Sequence, residues 1–213
     1  AKVGAVGVKA FGTAIKTAMG PISLALSAIA GLGAAFNTMK EIEFASAKFR
    51  TLGGDSDVLS SKLKLVAIEL NGAASVAELT GAAYDVASAG FTDAADAAMI
   101  LKAASLGATG GFTDINTAGG AAVKVLNAYG LGAKDAGALM DKFAQTQADG
   151  IITIGQYSDN IGKVATTAAG LGVSLDEVNA VLAQSTAAGT NIETAFSGLN
   201  SALAKISSGQ AGK

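Results

Sequence analysis

The sequence has no cysteine and no histidine. That excludes disulfide frameworks, metal sites built on thiolate or imidazole, and any catalytic triad that needs an imidazole base. There is no tryptophan, and aromatic residues make up only 5% of the chain. Scarce aromatic and β-branched residues argue against a sandwich or barrel. Proline occurs once, as Pro21, so little interrupts helices. Net charge is −2, which gives no general attraction to nucleic acid, and lysines and arginines do not cluster with aromatics. No sequence-specific nucleic-acid binding is expected. No cofactor is implied and no metal site is visible.

What is present is alanine, leucine, valine and isoleucine with 28 glycines. Small side chains let helix backbones approach closely, and the reading is all-α. Charge divides the chain. Residues 1–40 carry Lys2, Lys9, Lys16 and Lys40 and no acid, whereas the 17 acids all lie in residues 41–213. Two parts are expected: an apolar, lysine-bearing helical arm over 1–40 and an all-helical body over 41–213. The chain begins with alanine, and it reads as a piece of a longer polypeptide.

In the arm, Val8, Phe11, Ile15, Ala18, Ile22, Ala25, Ile29, Leu32, Phe36 and Met39 alternate at three and four spacing. This is an a/d heptad register, and these ten residues form the candidate face for self-association or membrane contact. Met19 and Leu26 widen the face, which suits a trimer or another small symmetric oligomer. The stretch from Thr17 to Met39 is also free of charge, and a bilayer crossing needs ~20 apolar residues. Ser23, Ser27, Gly31 and Ala35 add a small-xxx-small stripe. A coiled-coil arm and a membrane-competent arm both fit. Gly20-Pro21 predicts a kink or brief interruption within it.

In the body, glycine-centred breaks recur near residues 72, 90, 110, 130, 150, 171 and 189. Runs such as Leu79, Ala82, Ala83, Val86 and Ile161, Val164, Ala165 have helical spacing. About eight short helices are expected, paired into hairpin units that repeat at about 40 residues. Each break should end a helix on a left-handed glycine, followed by an apolar residue and a cap. Four phrases match the capping box: Ser75 with Glu78, Thr153 with Gln156, Ser174 with Glu177, and Thr190 with Glu193. Asp93 and Asp114 follow threonines in looser versions. Asp135 and Asp176 also lie near expected first turns, where a carboxylate complements the helix dipole. The acids therefore read as helix-start signals. No catalytic residue is assigned.

Glycine motifs for nucleotides fail on inspection. Gly107-Ala108-Thr109-Gly110-Gly111 has no following Gly-Lys-Ser/Thr, and Gly130-Leu131-Gly132 lacks the third glycine and a preceding strand. Both read as helix–helix turns.

Three phrases in this order carry a family likeness: Ala87-Ser88-Ala89-Gly90-Phe91-Thr92, Tyr129-Gly130-Leu131, and Leu171-Gly172-Val173-Ser174-Leu175-Asp176-Glu177-Val178. Over roughly residues 40–207 the chain resembles the core region of tailed-phage tail tape measure proteins. The resemblance implies a structural, non-enzymatic virion protein that lies inside the tail tube or tail tip. Such a protein sets tail length during assembly and leaves ahead of the genome. It implies partners among tail tube and tail-tip or baseplate proteins, and the host membrane during infection. Family members are usually much longer. A continuous helix of this length would span only ~320 Å, and the breaks forbid even that. Two other readings stand beside this one: a membrane-active, pore-forming helical protein, and a carboxylate-based cell-wall hydrolase.

Overall fold

The computed structural model describes residues 38–111 and 113–209. The chain divides into one unit up to Glu43 and a second, Phe44–Lys213. The heptad positions from Val8 to Phe36, the small-residue stripe and Pro21 lie outside the described residues. Met39, the last heptad position, is helical and exposed. Among the described residues no helix is long and apolar enough to cross a membrane.

The described residues are helical, with no strand among them. Helix α1 covers residues 38–51. It is followed by α2 (Ser56–Glu69), α3 (Val76–Ser88), α4 (Ala94–Gly111) and α5 (Ile115–Ala128). A short 3-10 turn, Ala133–Asp135, leads into α6 (Ala136–Asp149), then α7 (Ile154–Gly170), α8 (Leu175–Ala187) and α9 (Ile192–Ser207). The expectation of an all-α body with about eight short helices agrees with α2 to α9.

Packing follows a simple rule. Consecutive helices pair as hairpins, and each helix also packs on the one two positions later: α2 on α4, α3 on α5, α4 on α6, α5 on α7, α6 on α8 and α7 on α9. The even-numbered helices α2, α4, α6 and α8 form one layer, here layer A. The odd-numbered α3, α5, α7 and α9 form layer B. One hydrophobic core runs between the layers, from Phe49, Leu59 and Leu63 at one end to Phe196 and Leu203 at the other. Much of it is alanine: Ala97, Ala104, Ala118, Ala121, Ala122 and Ala168 are fully buried. This is the stacking logic of helical-hairpin solenoids, in which each repeat completes its core only against its neighbours.

The helix ends explain the breaks. At Gly90 (φ +105°) the Phe91 amide donates back to the Val86 carbonyl, and at Gly172 (φ +75°) the Val173 amide donates to Ala168. Each is a left-handed closure that satisfies carbonyls of the last turn. Phe91 and Val173 then fold onto the core. The same conformation occurs at Gly72, Gly130 and Gly189.

Two expected breaks differ. Helix α4 runs through Gly107 and Gly110 and ends at Gly111, so this glycine-rich stretch is helix rather than turn. A Cβ on Gly107 would lie 2.4 Å from Met140 Sδ, and one on Gly111 would lie 2.6 Å from Ile154. These glycines provide close approach to α6 and α7, not a left-handed cap. Gly150 does end α6, but in extended backbone (φ −122°, ψ −179°). Its role is also space: a Cβ there would meet Thr186 Oγ1 at 2.6 Å and the Ala183 Cα at 2.8 Å.

Candidate functional site

The acids near the helix starts are engaged as follows. Ser75 Oγ accepts the Glu78 amide at 3.2 Å, and the Glu78 carboxylate accepts the Ser75 amide at 2.8 Å. Ser174 and Glu177 repeat this reciprocal pair, as do Thr153 and Gln156. Asp93 accepts the amides of Ala95 and Asp96, and Asp114 accepts the Thr117 amide and hydroxyl. Asp135 accepts the Gly132 amide ahead of the 3-10 turn.

At the last expected box the cap is displaced by one residue. Asn191, not Thr190, is the N-cap of α9, and its side chain accepts the Glu193 amide. The Thr190 amide is used by the preceding turn, where it donates to Ser185. With Thr190 held in that closure, the cap passes to the next polar residue. Glu193 lies in the first turn without closing a box to Thr190.

The electrostatics follow from these bonds. The Ser75 hydroxyl and amide hold the Glu78 carboxyl below its ordinary range, and Ser174 does the same for Glu177. The Thr117 hydroxyl and amide lower Asp114, and the amides of Asp96 and Ala95 lower Asp93.

A cleft of about 400 Å³ lies between the starts of α3 and α5 against α4. Glu78 and Asp114 sit in its wall with Ser105, Thr109, Thr113 and Asn116. A carboxylate hydrolase needs one acid kept protonated by its surroundings and one ionised. Both carboxylates here are pulled toward the ionised form by capping bonds. The cleft is where two capped helix starts meet. No group of three or more metal-ligating residues occurs among the described residues.

Other polar contacts, which no capping motif encodes, tie one hairpin to the next. Lys102 on α4 pairs with Glu69 at the end of α2 at 2.6 Å. Lys142 on α6 pairs with Asp176 at the start of α8. Lys124 on α5 reaches the Ser158 carbonyl of α7 at 3.5 Å. The sequence separations are 33, 34 and 34 residues. That constant offset was the available signal in the sequence. At the far end, Tyr157 is buried between Phe143 (ring centroids 4.5 Å apart) and Phe196 (5.9 Å), and its hydroxyl donates to Asn179 Oδ1 at 2.7 Å. This cluster joins α6, α7, α8 and α9. The arrangement is a scaffold of stacked hairpins whose polar groups are spent on helix starts and on lateral ties.

The family described as phage-related minor tail protein matches residues 66–213. The chain belongs to this family. The matched region of this minor tail family member starts within α2 and takes in every helix from α3 to α9. A relative described as a probable tape measure protein, from Clostridium phage phiCD119, is 32% identical over 157 residues. That alignment covers 71% of this chain and 16% of the relative, so the chain spans about one sixth of that protein's length. No solved structure matches the chain.

Proposed function

We propose that this minor tail family member is the helical-hairpin region of a tape measure protein. It acts as a structural element of the tail, inside the tube or its tip, during tube assembly and genome ejection. The observation that carries the reading is the family match over 66–213, which coincides with the stacked hairpins. The role is non-enzymatic, and the capped state of Glu78 and Asp114 favours it. Its partners are the tail tube and tail-tip or baseplate proteins.

The heptad from Val8 to Met39 supports self-association through the arm as a trimer or another small symmetric oligomer. The uncharged stretch from Thr17 to Met39 supports entry of the arm into the host membrane at infection.

An epitope placed in the exposed loop at Ile151 of the parent protein tests the tail location. The expected result is that antibody reaches it only after tails are opened. Labelling along intact tails, or its absence from purified virions, would sink the reading. Mass measurement of the chain with its arm intact tests self-association, and a monomer at high concentration rejects it. Leakage of anionic liposomes that persists after deletion of residues 8–39 rejects the arm's membrane role.

A further inference from the structure

Every helix of layer B carries a glycine in its interior: Gly81 in α3, Gly120 in α5, Gly162 in α7 and Gly198 in α9. Gly81, Gly162 and Gly198 are exposed and Gly120 is half-buried. A Cβ added at Gly81, Gly120 or Gly198 would meet nothing within 4 Å, and at Gly162 it would meet only the flexible stem of Lys124. None of the four has a left-handed backbone. Neither turn geometry nor close packing accounts for them.

Layer A differs. Helices α2 and α8 have no glycine, and α6 has one only in its first turn. In α4 the mid-helix glycine, Gly107, is packed against Met140, and Gly110, where an added Cβ would meet nothing within 4 Å, lies in the last turn. A glycine inside a helix weakens it relative to alanine through backbone entropy. Mid-helix weakening at open positions therefore falls on one layer, once per hairpin. Stacking along the chain adds a second element. Each helix packs mainly on the helix two positions away and, to varying extent, on its chain neighbours, so losing one helix leaves distant contacts intact.

We propose that layer B is a built-in weak layer: its interior glycines set how readily each of its helices opens, and these helices open one at a time rather than all at once. Opening of this kind is a sub-global event, read by amide hydrogen exchange as protection that differs between segments.

The test compares exchange in the full chain and in three alanine variants, Gly81→Ala, Gly120→Ala and Gly198→Ala. These leave the fold unstrained because the added methyl enters open space. In the unmodified chain, buried amides of α3, α5 and α9 should exchange faster than those of α2, α4 and α8. Each variant should slow exchange in its own helix about three- to fivefold, equivalent to ~0.7–1 kcal/mol, with less change two hairpins away. Equal protection of both layers overturns the proposal. So does uniform slowing of every helix in each variant, which would mean all-or-none opening. Unchanged exchange in the substituted helix overturns it as well.

Discussion

Replacing Gly150 with alanine tests whether this glycine is required by space rather than by backbone conformation. Its φ and ψ are extended, which any residue adopts, so alanine carries no conformational penalty there. The penalty comes from α8. The new methyl would lie 2.8 Å from the Ala183 Cα and 2.6 Å from Thr186 Oγ1. The first contact is backbone and can be relieved only by moving the α6–α7 turn away from α8. That movement also stretches the bond from the Ile151 amide to Thr186 Oγ1, now 3.1 Å. Overpacking typically costs ~1–3 kcal/mol and a hydrogen bond contributes about 1, so a loss of roughly 2–4 kcal/mol is expected. For a chain of this size that is a fall in melting temperature of roughly 4–16 °C. Urea unfolding followed by circular dichroism should show a lower midpoint with an unchanged slope. Adding Thr186→Ala should not restore wild-type stability, because the Ala183 contact remains. Gly150→Ala as stable as wild type would refute the close-approach argument. So would full rescue by Thr186→Ala.

Tyr157→Phe should cost about 1–2 kcal/mol by chemical denaturation, because Asn179 Oδ1 loses its buried donor. Burial raises the Tyr157 hydroxyl well above its ordinary range. The folded chain therefore keeps the proton above the pH where unfolded tyrosine, near 10, releases it, and stability falls as pH rises past about 10. Tyr157→Phe should make that alkaline loss shallower, and an identical alkaline profile would count against the burial. Ser75→Ala should destabilise by about 1 kcal/mol in a thermal melt, through loss of the α3 cap. The lowered carboxyls of Glu78 and Asp114 contribute stability above their unfolded pKa values that is lost as pH falls through the folded ones. Acid unfolding curves should show Ser75→Ala losing less stability on acidification than wild type. Lys102→Ala should change stability by less than about 1 kcal/mol, since both partners of its ion pair are substantially exposed.

Helix starts were the most legible feature of the sequence. Ser75, Thr153 and Ser174 lie three residues before an acid or glutamine, and the reciprocal bonds form from that spacing alone. Local chemistry decides them, so a local pattern finds them. Thr190 was misread because two adjacent residues can cap, and the choice depends on where the preceding helix closes. The turns at Gly90, Gly130 and Gly172 were legible for the same local reason. Gly107, Gly111 and Gly150 were not, since their role depends on Met140, Ile154 and Ala183 of other helices. No helical periodicity reveals which neighbour will approach. The cleft acids were legible as caps, whereas their meeting in one cleft required the stacking of α3 beside α5.

The lateral ties have a consequence for how such a body can change length. Lys102–Glu69, Lys142–Asp176 and Lys124–Ser158 join points almost one hairpin apart along the chain. An insertion of a few residues inside a helix rotates every following side chain and breaks each tie that spans it. Duplication or loss of a whole hairpin between turns leaves the remaining ties in phase. Changes of length by one whole hairpin therefore keep these ties, whereas intermediate lengths break each tie they cross.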